Sequence, residues 1–196
     1  MSLIRKADIL GKAFKNIMVR TKSELTTVCY LEKDDCYLML HRVKKEKDIN
    51  KDKWIGIGGH IEDGESPDEC IVRETLEETG LTLNSYSLRG LITFVSDCYG
   101  VVYMFLYTSD DFSGVMNSQC NEGELEWIKK DKLFDLPLWE GDKVFFHLLE
   151  TRKDFFSLKL VYSKDTLRQC ILDGECINHK ELCSNKLTLK AQECKD

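Results

Sequence analysis

The residues best suited to chemistry in this chain are Glu74, Glu77 and Glu78, three carboxylates crowded into the stretch RETLEETGL. The stretch reads as the end of a helix from Pro67 to Thr79. Ser66 is a good N-cap, Pro67 suits the first helical position, and Glu69 completes a Ser-x-x-Glu capping box. Gly80 supplies the left-handed residue that ends it. At about 100° per residue the three glutamates share one face, and Val72, Thr75, Leu76 and Thr79 are expected to face the opposite way. Like charges three or four positions apart cost roughly 0.2–0.5 kcal/mol per pair, and acids in the last turn oppose the helix dipole. A solvated acidic face tolerates both penalties, whereas a bound cation removes them. The second reading is a site for a hard divalent ion, Mg²⁺ or Mn²⁺, held through oxygen.

The surrounding residues favour the second reading. Gly59, Glu65, Arg73, Glu74, Glu77, Glu78, Gly80 and Leu81 fit the spacing G-x5-E-x7-R-E-U-x-E-E-x-G-U, where U is a bulky apolar residue. This is the signature of the Nudix hydrolases, and the chain resembles that family from about Leu25 to Tyr162. Thr75 departs from the pattern at an apolar position, where its methyl can still pack. The resemblance implies an α/β (α+β) fold, the Nudix α/β/α sandwich with a mixed β-sheet. It also implies an enzyme that cleaves a nucleoside diphosphate linked to another group, by attack of water at phosphorus. Such a reaction needs the phosphate charge neutralised and a water made nucleophilic, which divalent metals provide. Carried over by position, Glu74, Glu77 and Glu78 look like metal ligands, joined by the backbone carbonyl of Gly58. Arg73 and Glu65 look like an ion pair that orients the glutamates.

Outside the motif, Glu122-Gly123-Glu124-Leu125-Glu126-Trp127 and Leu136-Pro137-Leu138-Trp139-Glu140-Gly141-Asp142 resemble the MutT-like oxidised-nucleotide diphosphatases. In that group a glutamate before the strand containing Trp127 binds metal or activates water. Glu122 matches it best by spacing, with Glu124 as the alternative and an ordinary loop acid as the plain reading. Trp139 and Asp142 resemble the aromatic and acidic residues that contact an 8-oxo-purine, an indole stacking on the base and a carboxyl reading its edge. Their plain readings are a packed tryptophan and an N-cap aspartate. Ile55 stands where the group has a base-reading asparagine, and it offers no hydrogen bond. The expected activity is hydrolysis of nucleoside triphosphates, oxidised purine nucleotides among them, to a monophosphate and pyrophosphate. The alternatives are another nucleoside diphosphate derivative (a sugar nucleotide or dinucleotide) and a nucleotide-sensing module without turnover.

Several elements must position these groups. Leu25–Leu31 and Cys36–Leu40 read as a hairpin, and Trp54–Ile57 as a strand entering the double glycine. Leu88–Val95, Val101–Thr108, Leu125–Ile128 and Leu158–Tyr162 read as further strands, and Asp142–Thr151 as a helix. Lys44–Lys53 is a charged loop, either simply solvated or steering polyphosphate with its lysines. The expected division is a helical extension over 1–24, the catalytic domain over 25–163 and a polar, helical appendage over 164–196.

Composition narrows the class. A net charge of −6 argues against a nucleic-acid polymer and for a free nucleotide substrate. The chain shows no apolar run long enough for a bilayer and no clear signal peptide, so no membrane partner is expected. Nine cysteines, an odd number, point to reduced thiols and the cytoplasm. The basic, amphipathic N-terminal segment is expected to pack on the domain or on a second copy in a homodimer. In the tail, Cys176, His179 and Cys183 have the spacing C-x2-H-x3-C, but the paired ligands of a zinc site are missing.

Overall fold

The structure is a computed structural model that describes residues 23–44, 48–117 and 120–182. The N-terminal segment before Ser23, Cys183 and Cys194 lie outside the described residues. The strands are β1 (Glu24–Lys33), β2 (Cys36–His41), β3 (Trp54–Ile55), β4 (Leu81–Ser96), β5 (Gly100–Gly114), β6 (Glu124–Lys129), β7 (Phe156–Ser163), β8 (Thr166–Leu172) and β9 (Glu175–Ile177). The helices are α1 (Pro67–Thr79) and α2 (Glu140–Thr151). The strands run in the order β3-β2-β1-β5-β4-β7-β8-β9, with β6 on the other side of β2. The β1–β5 and β4–β7 pairs are parallel and the remaining pairs antiparallel, so the sheet is mixed.

Alternation along the strands separates two layers. On β1 and β2, Val28, Tyr30, Tyr37 and Met39 join the core that contains Val144, Phe145 and Leu148 of α2. Their neighbours Cys29, Leu31, Leu38 and Leu40 face the other way and pack with Ile71 of α1. Helices therefore cover the two faces of the sheet, as the expected sandwich requires. Among the described residues no helix is long and apolar enough to cross a membrane.

The hairpin of β1 and β2 forms as expected, turning at Asp34 and Asp35 with φ of 51° and 59°. Three expectations need correction. The strand after the charged loop stops at Ile55, because Gly56 leaves β2 to lie against β1, where a Cβ would sit 2.6 Å from Val28 Cγ2. β4 begins at Leu81 rather than Leu88, and three register shifts between Leu83 and Gly90 disguise its alternation. The tail beyond Asp165 is not a helical appendage at its start. β8 pairs with β7 and β9 with β8, and Leu167 and Cys170 enter the α2-side core.

Candidate active site

Helix α1 has the caps its sequence demands. The Ser66 hydroxyl accepts the Glu69 N–H at 3.2 Å, and the Glu69 carboxylate accepts the Ser66 N–H at 2.8 Å. Gly80 closes the helix with φ 74° and donates its N–H to the Leu76 carbonyl. The buried side differs from the expected one, comprising Cys70, Ile71, Thr75, Glu78 and Thr79, while Leu76 is half exposed. The glycine loop before the helix covers one flank of the acidic face, which draws Glu78 inward and leaves Leu76 outside. Thr75, the departure from the motif, is fully buried, and its hydroxyl has no hydrogen-bond partner among the described residues.

The loop is fastened to β1. Cys29 and Ile57 exchange both backbone hydrogen bonds, and Thr27 donates its N–H to the Gly59 carbonyl at 2.8 Å. Gly58, between them, turns its N–H the other way and donates to Glu78 Oε2 at 3.0 Å. Only glycine fits there, since φ is 151° and a Cβ would lie 2.2 Å from the Thr27 carbonyl oxygen. At Gly59 a Cβ would meet the Glu74 carboxylate, so Glu74 lies flat against that residue.

Arg73 is the hub of the site. Its Nε and Nη2 hold the two Glu65 oxygens at 2.8 and 2.9 Å, a bidentate ion pair. Its Nη1 donates to Glu74 at 2.8 Å and Glu77 at 3.3 Å, and Nη2 also reaches the His60 carbonyl at 3.2 Å. These guanidinium hydrogen bonds, more than any other influence, hold the Glu65 carboxyl down at about 2. Cys70, beneath Arg73, is a buried thiol raised by desolvation and set against Thr27 Oγ1 at 3.2 Å. The carboxylates do not converge as a ready-made cluster. Glu74 lies against Gly59, Glu78 reaches Gly58, and Glu77, 60% exposed, stands outside on Arg73. Among the described residues no three His, Cys, Asp or Glu side chains form a metal-holding group, the tail's Cys176 and His179 included.

Two further segments flank this centre. Glu122 pairs with the Arg42 guanidinium, whose Nε also holds Asp48 at 2.7 Å. The Glu122 segment lies beside α1, because the charge of Glu78 helps to raise the nearby Cys120 thiol after desolvation. Glu124, by contrast, is exposed at the start of β6, opposite His41. Lys44 donates to the Cys120 carbonyl at 2.6 Å and Lys53 sits over Trp139, so two lysines of the charged loop hold protein groups.

The second segment carries Trp139 and Asp142 on the α2 side of the sheet, whereas Ile55, expected beside them, packs against the α1-side core. Trp139 directly precedes α2 and is only 9% exposed, its Nε1–H donating to Asn50 Oδ1 at 2.9 Å. Phe94 and Tyr162 meet it edge-on, and Lys53 Nζ lies 4.4 Å from the ring centroid. Asp142 is the third residue of α2 rather than its N-cap, and it accepts the Trp139 N–H at 3.3 Å. It keeps some accessible surface, yet the core around it desolvates the carboxyl and pushes it up to about 7. Ile55 sits on β3 opposite Leu40 and contributes no polar group. Sequence reasoning missed Asn50, Lys53 and Tyr162, since nothing in their spacing ties them to Trp139.

Comparison with known proteins agrees with this geometry. A model of the NUDIX domain matches residues 22–149. A Bacillus subtilis protein named "Uncharacterized Nudix hydrolase YvcI" is 32% identical over 126 residues, covering 62% of this chain and 76% of that protein. The "Oxidized purine nucleoside triphosphate hydrolase" of Danio rerio is 26% identical over 132 residues, 66% of this chain and 83% of that protein. Among solved structures, the mutator MutT protein from Bacillus halodurans superposes with a TM-score of 0.68 at 31% identity, covering 78% of this chain and 99% of that one. The MutT protein from Methanosarcina mazei shares the fold, with a TM-score of 0.60 at 21% identity over 69% of this chain and 99% of that one. The motif, the mixed sheet between helices and these matches together place the chain in the Nudix family, as a hydrolase acting on phosphoanhydride bonds.

Proposed function

We propose that the chain is a divalent-metal-dependent pyrophosphohydrolase of nucleoside triphosphates, oxidised purine nucleotides included, releasing a nucleoside monophosphate and pyrophosphate. The observation that carries the reading is the convergence of Glu74 and Glu78 on Gly58–Gly59, with Arg73 holding Glu65, Glu74 and Glu77 together. The donor set fits a hard cation because every candidate ligand is oxygen: the carboxylates of Glu74, Glu77, Glu78 and Glu122 and the Gly58 carbonyl. Mg²⁺ or Mn²⁺, when bound, supplies charge neutralisation on the phosphates and acidifies a water.

The chain's own residues do the rest. Gly58 and Gly59 let the backbone come close to the phosphate chain, and Arg73 fixes where the glutamates point. The attacking water forms a new P–O bond at one phosphorus, the bridging P–O bond breaks, and its electron pair leaves with pyrophosphate. The water's proton passes to a carboxylate of the same set. Arg42 pairs with Glu122 and fixes its place. Trp139 and Asp142 form the base side of the site. The related oxidised purine nucleoside triphosphate hydrolase supports this substrate class. Ile55, which has no hydrogen-bonding side chain, favours a second reading, hydrolysis of another nucleoside diphosphate derivative such as a sugar nucleotide or dinucleotide. A pyrophosphate-release assay with Mg²⁺ over a panel of normal and oxidised triphosphates, sugar nucleotides and dinucleotides separates the two. Tight nucleotide binding with no turnover of any member would sink the enzyme reading.

A further inference from the structure

The indole of Trp139 has few free sides. Its N–H is committed to Asn50, and Phe94 and Tyr162 abut it edge-on at centroid distances of 6.1 and 5.7 Å. One face of the indole carries the Lys53 ammonium, 4.4 Å from its centroid. Lys53 springs from a fixed point. Its N–H donates to the Asn50 carbonyl at 2.9 Å, and its carbonyl accepts the Arg42 N–H at 3.0 Å. The next residue, Trp54, donates to the Pro137 carbonyl at 3.2 Å, which ties this corner to the approach of α2. Asp142 accepts the Trp139 N–H at 3.3 Å, so its carboxyl and the Lys53 ammonium both border Trp139.

We propose that Lys53 is a specificity-determining residue of the nucleotide site, donating from beside Trp139 and Asp142 to a carbonyl oxygen on the edge of the bound base and so selecting 6-oxopurines over adenine. The proposal rests on the nucleotide-hydrolase reading above and names the base class that reading leaves open. An ammonium has donors and no acceptor, and a carboxylate has acceptors and no donor. Side by side they match an edge with an acceptor next to a donor. Guanine presents such an edge, its C6 oxygen beside ring and amino N–H groups. Adenine presents an amino donor at C6, which would point at the ammonium. Lys53 then provides the discrimination.

The test measures binding of GMP and AMP to the full chain by calorimetry, alongside hydrolysis of dGTP and dATP. The native protein is expected to prefer GMP. Lys53→Met should weaken GMP binding by about tenfold or more, while AMP binding changes far less. Lys53→Arg, which keeps a cationic donor, should restore much of the preference. Equal losses for both nucleotides would show that Lys53 only attracts phosphate or props up Trp139, and would overturn the proposal. So would a native protein with no preference, or one for AMP. Melting temperatures check folding, and Lys53→Gln carries the same comparison if the methionine variant does not fold. Monophosphate binding needs no turnover, so a chain that shows the preference but hydrolyses neither triphosphate overturns the triphosphate reading and leaves Lys53 standing. Hydrolysis without the preference overturns Lys53 alone.

Discussion

The acidic end of the proposed site and its Trp139 end are built on opposite plans. At the acidic end, Glu65, Arg73, Glu74, Glu77 and Glu78 come from one loop and one helix, and their hydrogen bonds span at most a few turns of chain. At the Trp139 end, Asn50, Lys53, Phe94, Asp142 and Tyr162 arrive from distant segments and meet only in the folded state. The acidic end is polar and partly open, and one guanidinium bridges three of its four carboxylates, leaving an excess of negative charge. The other end is closed, and burial itself sets the properties of its carboxyl. On the function proposed here, reaction chemistry is written locally, while selectivity is assembled over long range.

Substitutions can break that comparison, starting at the acidic end. Glu78→Gln and Glu77→Gln remove a charge from the phosphate-facing set and should each lower turnover by about 10²-fold or more in a pyrophosphate-release assay. Because Glu77 is 60% exposed, its variant should melt close to the native temperature. Near-normal activity of Glu77→Gln would place the catalytic centre elsewhere. Glu65→Gln loosens Arg73 and should cost about 10–100-fold in turnover, the range for groups that orient ligands. The same pair has a pH signature. Glu65 is depressed to about 2 from an ordinary 4.5 or so, so its contribution to stability is present above the higher value and lost as pH falls through the lower. The melting gap between native and Glu65→Gln proteins should therefore hold steady at neutral pH and close only in strong acid.

Asp142 should behave in the opposite sense. Its carboxyl is raised from 3.8 to about 7, so the folded state keeps its proton longer than the unfolded one. The stability this gives is complete below the unfolded value and disappears as pH rises through 7. Lys53, Tyr30, Tyr162 and the Trp139 N–H surround it, and none of them offsets the desolvation. Asp142→Asn should thus gain on the native protein in thermal melts between pH 4 and 8. Parallel melting curves would mean that water reaches the carboxyl. The smallest effect is expected at Thr75, whose buried hydroxyl lacks a partner. Thr75→Val should raise stability by about 1 kcal/mol in denaturant titration without lowering turnover.

The same contrast explains what could be read from the sequence. The α1 caps follow from short spacings and the Glu65–Arg73 pair from the motif's resemblance, and both are present in the structure with the glycine loop between them and β1. Helix α2 was legible from Val144, Phe145, Leu148 and Leu149, which are buried together. Periodicity alone misjudged α1, because the side a helix buries depends on what lies beside it. The β8–β9 hairpin did carry a local signal, Asp173-Gly174 with φ of 50° and 89°, the left-handed pair of a tight two-residue turn. Cysteines and charges in the tail obscured it. The clasp of Asn50 and Lys53 on Trp139 had no such signal, since its hydrogen bond and cation–π contact join residues more than eighty positions apart.

The hydrogen bonds between β1 and the glycine loop also bear on how the enzyme responds to heat. Cys29, Leu31 and Ile57 are wholly inaccessible, and the loop is bonded to this innermost strand rather than to a neighbouring loop. Backbone held in that way exchanges its amide hydrogens with solvent only when the whole domain opens. The glycine loop is therefore not a hinge and should not fray ahead of the rest. On warming, the reaction rate should climb without a break until the protein itself melts.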